Sequence, residues 1–391
     1  MGELRAAEFF AGIGLMRRGL ADAGVATAWA NDIEAAKREM YVANFGDSEF
    51  VLGDVRDVRG DSLPDVHVAT ASFPCTDLSL AGNRRGLGNR HASRRPAAGE
   101  SSMFWEFARV LSEMGSRRPG VLLVENVLGF ASSHGGADLR SAVAKLNQLG
   151  YSCDIFAVDA RHFVPQSRPR MFIVGLADAS AAGSRDVLAS RSPWAARIAA
   201  MMPRARLHGY PLPVPPTGPG SLAGVVDRLP ANASEWWSRE RVKRFRSSLS
   251  PLQAERLAAL QTSPTPSWRT AYRRTRGGVA VWEVRRDGIA GCLRTARGGS
   301  SKQALVEAGG GEARVRWLSP RECARLMGAD DYTLAGTRNQ ALFGFGDAVC
   351  VPVVAWVCEH YIVPVATASA DPATRSTITR TEARKPLAVA A

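Results

Sequence analysis

A thiol, a carboxylic acid and two guanidinium groups stand at the ends of apolar runs in this chain, and together they could hold and activate an electron-poor ring. The run from Val66 to Ala71 stops at Ser72-Phe73-Pro74-Cys75. Proline fixes its own φ and biases the preceding residue towards extended backbone, so a strand should end there and present Cys75 on a stiff turn. A second run, Val121 to Val124, leads into Glu125-Asn126, and Gln166, Arg168 and Arg170 lie directly before a third, 171 to 176. In an open α/β sheet, ligands bind at the carboxyl ends of strands, where a thiolate is a candidate nucleophile. Taken alone, Cys75 reads better as a small buried hydrophobe. The acid and the arginines shift that balance, because a thiolate can add to a ring whose nitrogen and carbonyl oxygen are held as charge develops.

Those groups need a sheet to converge. Leu4 to Phe10 reads as a first strand, followed by Ala11-Gly12-Ile13-Gly14 as a tight turn into a helix with Leu15, Met16 and Leu20 on its apolar side. A strand, a glycine turn and a helix N-terminus form a nucleotide cradle. The dinucleotide fingerprint GxGxxG is absent, since four residues separate Gly14 from Gly19, which disfavours a hydride-transfer enzyme. Thr27 to Ala30 gives a second strand with Asp32 at its tip, suited to a ribose diol or to capping the helix over 34 to 44. Phe50 to Leu52 leads to Gly53-Asp54, which reads as a turn. Helices are expected over 103 to 114 and 139 to 149, and a hairpin joins 151–158 to 171–176. Ser319, Pro320 and Glu322 spell a capping box that opens a further helix.

The formal charge of +13 on 391 residues points to a polyanionic partner, nucleic acid before membrane. No charge-free apolar run reaches the roughly 18 residues of a membrane span, and the N-terminus does not read as a signal peptide, so a cytoplasmic protein is expected. The six cysteines form no CxxC pair, which argues against structural zinc; Cys153, Cys323, Cys350 and Cys358 read as packing residues, and Cys292 is left open. Residues 81 to 102 are rich in Gly, Ser and Arg and read as a loop, with Arg84 and Arg85 among its phosphate-contact candidates. From about 177 to 313 proline clusters, paired tryptophans and basic stretches mark a second, smaller domain. Arg273, Arg274, Arg276, Arg294, Thr295, Arg297 and Lys302 are its candidates for DNA contact, with Tyr272 among them.

PC, ENV and QxRxR, in that order behind FAGIG, resemble the DNA (cytosine-5) methyltransferase family over residues 5 to about 176 and 314 to about 362. The resemblance implies an α/β fold, a doubly wound Rossmann-like sheet built from 1–176 and 314–365. A smaller, irregular target-recognition domain would occupy 177–313, and 366–391 would form a disordered tail. It implies S-adenosylmethionine as cofactor, beside Phe10, Gly12, Ile13, Gly14, Asp32, Ile33, Asp54, Val55, Pro74, Met103, Asp347 and Ala348. Asn is commoner in the family where Asp347 stands, as are Gln and an aromatic where Thr76 and Leu78 follow the Pro-Cys pair. The implied reaction is methyl transfer to carbon 5 of a cytosine flipped from double-stranded DNA, with Cys75, Glu125, Arg168 and Arg170 catalytic and no metal. A monomer is expected, with a restriction or defence protein as companion. The rivals are an enzyme acting on tRNA cytosine and a DNA-binding regulator that keeps the fold without the reaction.

Overall fold

In the computed structural model, residues 3–74, 103–180, 182–295 and 302–370 are described. Seven strands build the first sheet: β1 (Leu4–Phe9), β2 (Val25–Asp32), β3 (Phe50–Leu52), β4 (Val68–Ala71), β5 (Val121–Val127), β6 (Ser152–Asp159) and β7 (Pro169–Leu176). Their order is β3-β2-β1-β4-β5-β7-β6, with β1 to β5 parallel and β7 antiparallel to both its neighbours. The chain winds outward on both sides of β1, so the carboxyl ends of β1, β2, β4 and β5 share one edge. The insertion of β7 brings its first residues to that same edge.

Both faces are covered, which explains why these strands read as continuous apolar runs instead of alternating ones. On one face Ala6, Leu123, Phe172 and Val174 pack with the Leu15–Asp22 and Val351–Val357 helices. On the other Ala7, Phe9, Leu122 and Ile173 meet Phe104, Phe107 and Leu111 of the Met103–Glu113 helix. The apolar stretch within Arg338–Ser369 is long enough to cross a membrane by composition. Here it is spent on the core, with Val354, Val357, Tyr361 and Ile362 buried. Cys153, Cys323, Cys350 and Cys358 are buried free thiols, as their apolar surroundings predict.

The second sheet is antiparallel, in the order β11-β10-β8-β9: β8 (Ser267–Arg276), β9 (Val279–Val284), β10 (Ala304–Gly309) and β11 (Glu312–Trp317). A two-residue loop, Gly277-Gly278, joins β8 to β9 with φ of 54° and 81°, the left-handed geometry that lets paired strands keep their twist. Trp237 packs on this sheet against Trp282 of β9 and Trp317 of β11, and Phe245 against Trp282.

Two expected boundaries shift. β11 is paired with β10 from Glu312 to Trp317, so the division at 313/314 falls inside a strand. Residues after 176 do not leave the first sheet at once either. Leu188, Ala195, Ile198 and Met202 pack on its helical face, and Arg191 makes a two-pronged pair with the buried Asp154 on edge strand β6. The first residues of the expected tail are ordered instead, since the Val363–Ala370 helix keeps Ala366 buried; 371–391 lie outside the described residues.

The capping box over Ser319 and Glu322 forms as its sequence predicts. Glu322 does more than cap. Fully buried, it also takes both arms of Arg316 from β11 and the backbone N–H of Asp227, tying β11 and the segment at Asp227 to the Pro320–Leu326 helix.

Candidate active site

The cofactor-side residues gather where β1 and β2 end. Phe10 and Gly12 take left-handed φ values of 60° and 59°, and Gly14 follows at 81° as the residue that opens the Leu15–Asp22 helix. A Cβ at Gly14 would lie 2.5 Å from Phe45 Cε2 and 2.8 Å from Tyr41 Cδ2, so only glycine fits. Asp32 clamps the turn. Its Oδ2 accepts from Gly12 N at 2.8 Å and its Oδ1 from Glu34 N at 2.9 Å, while Glu34, not Asp32, is the residue preceding the Ala35–Phe45 helix. Beside it Ile33 leaves 61% of its surface uncovered, in a chain that buries most large aliphatics. Asp54 accepts from Arg56 N and pairs with the Arg56 side chain; Val55 behind it is buried.

Two residues that sequence patterns did not single out, Lys37 and Glu8, complete this edge. Lys37 reaches from the Ala35–Phe45 helix to Glu34 at 3.2 Å and to Asp347 at 3.4 Å. Asp347 also accepts from Thr295, a candidate DNA contact that is thus engaged within the protein. Glu8, on β1 beneath the glycine turn, is 1% exposed, and neither of its carboxyl oxygens has a hydrogen-bond partner. Burial pushes its pKa from 4.5 to about 8, with Arg17 opposing and Asp32 adding to the rise.

The sign of that shift gives a prediction. Between pH 4.5 and about 8 the folded chain holds a proton that the unfolded chain has lost. Glu8's contribution to stability should therefore be fully present below that window and fall by roughly 3–5 kcal/mol as pH rises through it. Urea unfolding at a series of pH values should show a flatter profile for Glu8→Gln than for the parent. Parallel profiles would mean that Glu8 is ionised in the folded state.

Around the expected reaction centre, the strand register does the placing. Phe172 lies opposite Glu125, and Arg170, two residues earlier, opposite Val127, so Arg170 is diagonal to Glu125 on the same face. Arg170 Nε stands 2.9 Å from Glu125 Oε1, and both side chains are largely buried. Asn126, next along β5, donates to the carbonyl of Phe73 at 3.1 Å and pins the exit of β4. Phe73 is itself wedged against Phe104 and Phe130. The anchor of the Pro74 turn is thereby fixed beside Glu125. Cys75, Arg84, Arg85 and Arg297 lie outside the described residues; Pro74 and Met103 are the described residues that flank the first of these gaps.

Arg168 is a correction. It lies just before β7 and points away from Glu125's ion pair. Its Nη1 donates to Leu293 O at 2.8 Å, and its Nη2 donates to Gly346 O at 3.2 Å and Ala348 O at 2.5 Å. With these N–H groups spent on carbonyls, Arg168 is a strut, and Arg170 alone of the two meets the acid. Arg168→Met would leave three carbonyls without donors and should cost about 3 kcal/mol or more of stability. A urea midpoint unchanged by that substitution, with turnover lost, would return Arg168 to direct catalysis.

On the target side, Arg273 and Arg276 are exposed on β8. Arg276 pairs with Glu283 at 2.7 Å, and Arg274 lies over the Tyr272 ring at 4.7 Å. Arg294 and Lys302 line a cleft with Trp317 at the end of β11, Cys323 of the Pro320–Leu326 helix, and Arg338 and Leu342 of the Arg338–Asp347 helix. Lys302 donates to Asn339 at 2.9 Å.

Residues 4–362 match the family model described as C-5 cytosine-specific DNA methylase. The chain is 26% identical over 361 residues to the Type II methyltransferase M.HhaI of Haemophilus parahaemolyticus, covering 91% of this chain and 94% of that one. It is 24% identical over 364 residues to M.Bsp6I of Bacillus sp. (strain RFL6), covering 91% and 98%. Among solved structures, the S. pombe Dnmt2 methyltransferase overlays with a TM-score of 0.60 at 17% identity, covering 93% of this chain and 99% of that one. The Entamoeba histolytica methyltransferase EhMeth overlays at 0.61 and 13% identity, with the same coverage. With its sheet order, its glycine turn and its Glu125–Arg170 pair in place, the chain belongs to the C-5 cytosine-specific DNA methylase family, whose members transfer a methyl group from S-adenosylmethionine to DNA.

Proposed function

We propose that this chain methylates carbon 5 of a cytosine turned out of duplex DNA at one recurrent sequence, as the modification partner of a restriction or phage-defence nuclease. The single observation that carries the reading is the Glu125–Arg170 pair held beside the β4 exit. Its acid suits ring N3 and its guanidinium the O2 carbonyl. The proposed nucleophile is Cys75, whose thiolate adds to carbon 6 and makes carbon 5 enamine-like. Carbon 5 would then bond the donor's methyl carbon as that carbon's bond to sulfur breaks to a neutral thioether; a base, water included, takes the carbon 5 proton, and the sulfur–carbon 6 bond breaks to return the thiolate. S-adenosylmethionine supplies the methyl group on a positively charged sulfur, so no metal is called for.

The cradle fits that cofactor. Ile33 offers an open apolar surface for a purine beside Asp32. Asp32, Glu34, Asp54 and Asp347 gather at one edge with Lys37 and Arg56, a balance that suits a cation. Phe10, Gly12, Ile13, Gly14, Val55, Pro74, Met103 and Ala348 are the proposed remaining walls. The second sheet is the proposed target reader, with Arg273, Arg274, Arg276, Arg294 and Lys302 towards DNA and Thr295 acting through Asp347. A monomer working on DNA in the cytoplasm suffices for this chemistry. The Type II relatives support the restriction setting.

Bisulfite sequencing of DNA from cells expressing the chain tests the reading. Cytosines protected within one repeated sequence context are expected, and uniform conversion across the genome would refute it.

A further inference from the structure

Cys292 sits on the segment between β9 and β10, and its backbone is fixed by bonds that do not involve its thiol. Ala290 N donates to Pro165 O at 2.7 Å, Ser167 N to Ala290 O at 2.9 Å, and Leu293 N to Gln166 Oε1 at 3.0 Å. Gln166 in turn donates to Leu326 O at 2.7 Å, and Gly291 is held on both sides by Gln303. This stitching sets the 290–293 segment against the residues that precede β7. The sulfur is thereby placed 3.3 Å from Arg168 Nη1 and 3.7 Å from Arg170 Nη2, with its own S–H directed to Leu293 O at 3.3 Å.

Two guanidiniums two residues apart repel one another, and Glu125 pairs with only one of them. A polarisable sulfur between them is an acceptor for both. We propose that Cys292 is a positioning residue for methyl transfer: its sulfur accepts from both arginines, keeps them apart, and holds Arg170 turned to Glu125 for the pyrimidine carbonyl. This rests on Glu125 and Arg170 being the pair that holds the cytosine. Arg168 stays on its carbonyls, so the restraint acts on the arginine that meets substrate.

The charged groups around the sulfur are Arg168 and Arg170 from the approach to β7, Arg294 on its own segment, and Glu125 on β5 behind Arg170. Burial pushes the thiol up, and the three guanidiniums together more than reverse it, leaving it below the ordinary value of 9.0. As pH rises towards that value the thiolate forms and draws Arg170 away from the carbonyl. Turnover should decline there for a reason that a hydroxyl in the same place would not share.

The test uses the full chain with duplex DNA and S-adenosylmethionine, comparing Cys292→Ala and Cys292→Ser in single-turnover methyl transfer across pH. Cys292→Ala should lose about tenfold or more in kcat, with the KM for S-adenosylmethionine and the DNA Kd within about twofold of the parent. Cys292→Ser keeps an oxygen acceptor, so it should recover most of the rate and lack the alkaline decline. If both variants keep the parent's rate and alkaline limb, or if they lower only the unfolding midpoint, the role is overturned. Glu125→Gln and Arg170→Lys in the same assay separate the two failures. Should those two also turn over normally, it is the cytosine-holding pair that has failed.

Discussion

Replacing Cys75 with alanine should abolish methyl incorporation, a loss of about 10⁴-fold or more in single-turnover rate, equivalent to more than about 5 kcal/mol of barrier. The size follows from the ring chemistry. Carbon 5 of cytosine is a poor nucleophile until an atom adds at carbon 6 and pushes electron density across the ring, and the proposed thiolate is the only group assigned to do so. Cys75→Ser should be almost as impaired, because a hydroxyl ionises far less readily than a thiol. DNA binding should survive both changes, since the basic residues on β8 and in the cleft of Arg294 and Lys302 are untouched. A gel-shift Kd close to the parent's, with no tritiated methyl transferred, is the expected pair of results. Retained turnover would remove Cys75 from the mechanism.

The second large effect is at Glu125. Glu125→Gln keeps the shape and loses the acid proposed to share a proton with ring N3, and kcat should fall about 10²- to 10³-fold with S-adenosylmethionine affinity little changed. The split is informative because Glu125 lies at β5 and the cofactor edge at β1 and β2, on separate strands of one sheet. Arg170→Lys should fall in the same direction, since an ammonium cannot offer two parallel N–H groups to acid and carbonyl at once. An equal loss of cofactor affinity in Glu125→Gln would point to a general disturbance of the sheet, and a normal rate would strip Glu125 of its acid role. Unfolding midpoints of the variants show which applies.

Much of the fold was legible because apolar runs ended in residues with a physical reason to end them. Pro74 stops β4, and Gly14 opens a helix that only a residue without a Cβ could open. Ser319 and Glu322 announced their cap through a reciprocal pattern that then formed. What stayed hidden depended on geometry that one-dimensional spacing does not carry. Arg168 and Arg170 are the same residue type two positions apart. That one lies before β7 and serves as a strut while the other lies in β7 and meets Glu125 is settled only by where pairing with β5 begins. Glu8 sits in a run whose neighbours are apolar, with no sequence sign that both its oxygens go unpartnered. Lys37 belongs to no motif, and its partner Asp347, more than 300 positions away, reaches it only in the fold. The boundary near 313 was misplaced because β11 runs directly into the Ser319 cap, and the cap was the stronger signal.

The most direct measurement is a covalent trap. DNA carrying 5-fluorocytosine at the target site presents a carbon 5 substituent that no base can remove as a proton, so an adduct formed by addition at carbon 6 cannot resolve after methyl transfer. Peptide mass spectrometry should then find the nucleotide bound to the sulfur of Cys75, only when S-adenosylmethionine is present, and at none of the other five cysteines. A trapped nucleotide on Cys292, or turnover of native cytosine with no adduct at any thiol, would contradict it.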